Sequence, residues 1–136
     1  MTKMTTIDYN HILLLKKFIF MTINRFEDII AWQKAQDLAV LVYTHFGNSR
    51  DFSFKDQICR ASVSISNNIA EGFERNSDKD FARFLYISKG SASEVESMLY
   101  LAQRLKHIDE EKFIIMLNLT IEVYKLLNGF IKSLKI

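Results

Sequence analysis

The chain has no proline, only four glycines and one cysteine in 136 residues. With so few turn formers, a handful of long helices is favoured over many short strands. The lone cysteine, Cys59, excludes a disulfide framework and any multi-cysteine metal site. His11, His45 and His107 are scattered, and the Glu-x-x-His pattern of ferritin-like metal bundles is absent. There is no Gly-x-Ser-x-Gly elbow and no phosphate-cradling glycine loop. Neither an enzyme nor a bound metal or cofactor is expected.

Excess charge is scarce too. The net charge is +2, and Lys3, Lys16 and Lys17 against Asp8 account for all of it, because the fifteen basic and fifteen acidic residues after position 20 cancel. Binding nucleic acid by bulk charge is therefore excluded, and any contact must come from local patches or from patches multiplied by oligomerisation. The apolar runs from Ile12 to Leu15 and Phe18 to Met21 are split by Lys16-Lys17. Each is far shorter than the roughly 20 residues of a membrane span, and no signal-peptide cleavage site follows. No membrane association is expected, and the cytoplasm is the expected compartment. Residues 1–22 read as a poorly ordered or weakly helical extension, with Met21 an alternative start, and 23–136 as the folded domain.

What is present is helical periodicity. Asn24 and Glu27 have capping-box spacing. Behind them Ile29, Trp32, Ala35, Leu38, Ala39, Val42, Tyr43 and Phe46 form an apolar stripe. Gly47-Asn48-Ser49 ends it with residues that tolerate a left-handed backbone. Ser53 and Asp56 repeat the box before Phe54, Ile58, Ala61, Ile65 and Ile69, and that helix ends at Gly72. Ser77 and Asp80 open a third helix, from about Asp78 to Lys106, carrying Phe81, Phe84, Leu85, Ser88, Ala92, Val95, Leu99, Ala102 and Leu105. Asp109 caps the fourth, with Phe113, Met116, Leu117, Thr120, Val123, Tyr124, Leu127, Phe130, Ile131 and Leu134 inward. Connections of about three to seven residues force neighbours antiparallel. The fold class is all-α, an up-down-up-down four-helix bundle.

The second helix is unusual for its small polar residues, Ser62, Ser64, Ser66, Asn67 and Asn68, and Gly90-Ser91-Ala92-Ser93 in the third is a matching patch. Such residues allow either a close crossing inside one bundle or a subunit interface, for which Ser62, Ser66 and Ser91 are the candidates. Gly90 costs about 1 kcal/mol against alanine in a helix, which implies a packing reason. Glu71 stands where the helix dipole disfavours negative charge, so an ion pair with Arg60, Arg75 or Arg83 is expected. Cys59 lies beside Arg60, whose charge would lower its pKa, although a lone cysteine on an apolar helix is usually inert packing.

The stretch from Gln57 to Gly72, with its core Ser64-Ile65-Ser66-Asn67-Asn68-Ile69-Ala70-Glu71-Gly72, resembles the signature of the 23S rRNA intervening-sequence proteins. Trp32-Gln33-Lys34-Ala35, Asp80-Phe81-Ala82-Arg83-Phe84-Leu85 and Gly90-Ser91-Ala92-Ser93-Glu94 match it too, so the resemblance runs from about Ile23 to Leu134. Arg60, Ser64, Asn68, Glu71, Gly72, Phe84, Gly90 and Ser91 are the motif positions. The family commonly has proline where this chain has Ser66, and an arginine pair where it has Cys59-Arg60. The first departure implies a straighter second helix, and the second leaves one cation where the family has two. The resemblance implies a small bacterial cytoplasmic bundle that assembles as a homopentamer and has no assigned catalytic activity. Some members are encoded inside insertions in ribosomal RNA genes. The family is also distantly similar to the accessory protein of diversity-generating retroelements, which binds nucleic acid and a reverse transcriptase.

Two functions follow as expectations. The first is an oligomer associated with RNA or a nucleic-acid-binding protein, with Arg75, Lys79, Arg83, Lys89 and Arg104 as contacts repeated around the assembly. The interspersed Glu74, Asp78 and Asp80 equally allow an ordinary solvated face. The second is a protein-interaction scaffold that ignores nucleic acid.

Overall fold

The four apolar stripes become four α-helices in the computed structural model, which describes residues 23–134 and 136. They are α1 (Ile30–Phe46), α2 (Phe52–Phe73), α3 (Asp78–Arg104) and α4 (Glu110–Ser133), preceded by a 3-10 turn, Phe26–Asp28. No strand occurs among the described residues. The expectations for residues 1–22 lie outside them. Each helix packs on its neighbour in the chain, and α4 closes back onto α1, forming a four-helix bundle around one core.

The stripes point inward as their spacing requires. Leu38, Val42, Ile58, Ile65, Ile69, Leu85, Val95, Leu99, Met116, Val123 and Leu127 are fully buried. Each such burial contributes about 1.5–3 kcal/mol, so packing, more than helix propensity, holds the helices. Tyr43 and Leu105 depart from expectation: they sit at the stripe edges and are 53% and 47% exposed. By length and composition α4 is long and apolar enough to cross a membrane, which the short runs near the N-terminus are not. In the bundle it buries Phe113, Met116, Thr120, Val123, Leu127 and Ile131.

Two helix starts follow the expected chemistry and two do not. Ser77 Oγ accepts from the Asp80 amide at 3.1 Å, and Asp109 Oδ1 from the Lys112 amide at 2.8 Å. Each satisfies an otherwise orphan N–H. The Asn24–Glu27 box does not form. Arg25 holds the Glu27 carboxylate, and Gln33 Nε2 donates to the Glu27 carbonyl at 2.8 Å. The Ser53–Asp56 box is pre-empted by Asp51, whose Oδ1 accepts from the Phe54 amide at 3.3 Å. Asp51 Oδ2 also lies 3.0 Å from His107 Nε2, tying the α1–α2 connection to the α3–α4 connection. The His107 ring in turn meets Phe54 edge-on at 5.4 Å. The His107 hydrogen bond, then the Phe54 amide, hold the Asp51 carboxyl below its ordinary pKa. Gly47 ends α1 without a left-handed turn, at φ −59. The left-handed residue is Lys106 at φ 59, where α3 stops after Arg104 and the His107 amide donates to Ala102 O at 2.8 Å.

The most extensive helix contact is α2 on α3. Gly72 is the penultimate residue of α2, which ends one position later than expected, and a Cβ there would stand 2.5 Å from Phe84 Cβ and 2.9 Å from Phe81 Cδ2. Ser88 Oγ donates to Ile65 O at 2.8 Å, and Ser91 Oγ to Ser64 Oγ at 2.9 Å, stitching the seam. Ser62 donates to Cys59 O, and Ser66 accepts from Gln36 Nε2 at 2.9 Å. Of the two readings for these residues, a close crossing inside one bundle or a subunit interface, the burial of Ser62 and Ser66 at 0% and 1% exposure fits the crossing. Ser91 remains half-buried at the seam's edge.

Gly72→Ala is expected to lower stability by about 1–3 kcal/mol in urea unfolding, because overpacking against Phe84 outweighs the gain in helix propensity. Asp51→Ala should lower stability through removal of the cap. A folded pKa below the unfolded one stabilises above the ordinary aspartate value, near 4, and the contribution is lost as pH falls through the folded pKa. The stability gap between wild type and Asp51→Ala should therefore close on acidification, measured as urea midpoints against pH.

Candidate nucleic-acid interface

The five basic residues expected to meet nucleic acid do not share one surface. Arg75, Lys79 and Arg83 gather at the α2–α3 connection and the first turns of α3. Lys89 is half-buried, with Nζ 5.3 Å from the Tyr86 ring and 5.2 Å from the Tyr124 ring. Arg104 ends α3, about 30 Å from Arg83 at 1.5 Å per residue.

Within the connection the arginines are already engaged. Arg75 Nη2 lies 3.1 Å from Glu71 Oε1 and its Nε 3.8 Å from Asp80 Oδ2, while Arg83 Nε donates to Asp80 Oδ1 at 3.0 Å. The ion pair expected for Glu71 is thus with Arg75, not Arg60 or Arg83. Both guanidinium carbons lie 4.6 Å from the centroid of the Phe84 ring, which is itself buried beside Gly72. Glu71, Glu74, Asp78 and Asp80 outnumber the three cations here. Among the three, Lys79 makes no ion pair with the described residues. The cluster clamps the connection more than it presents positive charge.

The signature residues separate by depth. Gly72 and Phe84 form the crossing. Ser64, Asn68 and Ser91 form a chain at its edge, where Asn68 Nδ2 donates to Ser64 O at 2.8 Å and to Ser64 Oγ at 3.0 Å. Arg60 and Gly90 are exposed. Arg60, Val63, Ser64, Asn67 and Asn68 line an open groove of about 340 Å³ with Tyr43 of α1. No carboxylate lines it among the described residues. Sequence reading missed this groove by placing Tyr43 in the core. The signal was available: Arg60, Ser64 and Asn67 recur at i, i+4 and i+7, a polar stripe opposite the core.

Cys59 is buried, and desolvation pushes its thiol pKa up rather than down, so the neighbouring Arg60 does not activate it. No group of His, Cys, Asp or Glu among the described residues could hold a metal ion.

The architecture and site define a class first, a four-helix bundle with an open groove between α1 and α2. The family is given by residues 27–129, which match the family model of the 23S rRNA-intervening sequence protein, and the chain belongs to that family. It is also similar to the crystal structure of a protein of unknown function from the S23 ribosomal protein family of Bacteroides thetaiotaomicron. That match has a TM-score of 0.72 and 30% identity, covering 76% of this chain and 100% of the other. No curated protein matches the chain.

Arg75→Ala removes two ion pairs and the packing against Phe84, and is expected to cost about 1 kcal/mol. Lys79→Ala should change stability by less than about 0.5 kcal/mol. Parallel urea titrations check both values.

Proposed function

We propose that the protein is a non-enzymatic homopentamer of up-down-up-down bundles that acts in association with RNA or a ribonucleoprotein. Family membership supports the RNA part. The up-down reading is supported by pairs along the seam: Gly72 beside Phe84 near the start of α3, and Asp51 beside His107 just past its end.

The observation that carries assembly is at Gly90. It is exposed in the middle of α3, and an added Cβ would meet nothing within 4 Å. The packing reason expected for this glycine is therefore not supplied by the described residues. Ile87 and Leu101, 43% and 45% exposed, stand on the same side of α3. A helix from a second copy would find backbone clearance there, flanked by apolar side chains. The scaffold reading is favoured by a different observation, the acids that offset Arg75 and Arg83.

Light scattering should give a mass about five times the 15.9 kDa chain. A single-chain mass across micromolar concentrations would overturn assembly. Gly90→Leu should lower that mass while the helical signal persists. A labelled RNA should bind at low salt and be released as salt rises; absence of binding at low salt leaves the scaffold reading.

A further inference from the structure

The geometry points to the Tyr43–Arg60–Asn67 groove, rather than the α2–α3 connection, as the place where single-stranded nucleic acid binds. This inference rests on the nucleic-acid part of the function proposed above, and it assigns a ligand class to a site on the opposite face of α2 from the core.

The two basic regions differ in what their charges are doing. At the connection, Arg75 and Arg83 are held by Glu71 and Asp80 against Phe84, and an incoming phosphate would have to displace a carboxylate. In the groove, Arg60 is exposed, makes no ion pair among the described residues, and shares the lining with no acid. A single guanidinium with free donors suits one phosphate of a strand.

The other liners fit the rest of a nucleotide. Tyr43 is 53% exposed and lines the groove, where its ring can stack on an unpaired base. Asn67 carries both a donor and an acceptor for a base edge. Asn68 uses its Nδ2 on Ser64, which orders that side chain and keeps its Oδ1 as an acceptor. A peptide anchor would need a desolvated apolar pocket, whereas Val63 is the one aliphatic side chain among the described residues that line the groove. A duplex keeps its base faces stacked against each other and out of reach of the ring. The chemistry selects a strand that is locally single. In an oligomer each subunit would add one such groove, which lets a chain of near-neutral composition bind a strand without a basic belt.

The test is fluorescence anisotropy on the full-length protein with a labelled single-stranded oligoribonucleotide, its DNA counterpart and an RNA duplex, across a salt series. Tyr43→Ala should weaken single-strand binding at least about fivefold, the loss of one stacked base. Arg60→Ala should flatten the salt slope by about 0.7 for each phosphate that is no longer neutralised, and Arg60→Lys should restore it. The duplex should bind more weakly than either single strand, and the triple change Arg75→Ala, Lys79→Ala, Arg83→Ala should leave binding close to wild type. Light scattering and circular dichroism on the same variants should show unchanged mass and helix content, because both side chains are exposed. Unchanged affinity in the Tyr43 and Arg60 variants, with loss in the triple variant, overturns the groove and leaves the nucleic-acid reading standing. Loss of assembly in the Tyr43 or Arg60 variants assigns the groove to subunit packing and overturns its role as a binding site. No binding by the wild type at low salt overturns the nucleic-acid reading itself.

Discussion

Everything else in the bundle depends on how closely α2 and α3 approach. Gly72 has no room for a Cβ against Phe84 and Phe81, and Ser88 and Ser91 reach across to the backbone and side chains of α2. A serine buried without a partner would cost about 1–3 kcal/mol, so the fully buried Ser88 hydroxyl is tolerable in the core only because the helices are near enough to satisfy it. Close approach and polar satisfaction are therefore one constraint. Wider side chains would break the hydrogen bonds by separating the helices, and loss of the hydroxyls would leave narrow voids along the seam.

The same crossing organises the charges at its end. With Gly72 beneath it, the Phe84 ring lies flush in the bundle, and Arg75 and Arg83 both settle on it with Asp80 between them. Cations that look available in the sequence become part of the clamp on the α2–α3 connection. On the far side of α2 the reverse holds. Uncharged residues leave a shallow groove in which Arg60 is the one charge among the described liners. The division between committed and uncommitted cations sets the functional reading more than net charge does.

Much of this was legible in the sequence because helical periodicity is local. The inward residues of α2, from Phe54 to Ile69, and of α3, from Phe81 to Ala102, are buried as their spacing requires. The caps at Ser77 and Asp109 needed only neighbours within three residues. The caps that failed were lost to competition: Arg25 took Glu27, and Asp51 gained His107, 56 residues away, which no local pattern reveals. Gly72 was visible as a signature residue, but its reason is a side chain on another helix. The clamp partners were present at readable spacings, Glu71 to Arg75 and Asp80 to Arg83. The spacing allowed these pairs without choosing among them, because Arg60, Arg75 and Arg83 all stand within reach of Glu71 along the sequence. Tyr43 was assigned to the core because a stripe's edge and its centre share the same period.

The most direct test of this account is amide hydrogen exchange followed along α2 and α3 at several protein concentrations. If the small-residue seam is internal to each chain, amides from Ser62 to Ile69 and from Phe84 to Ala92 will be among the slowest to exchange, at rates independent of concentration. Protection across those segments that fades on dilution would place the seam between subunits and contradict the account.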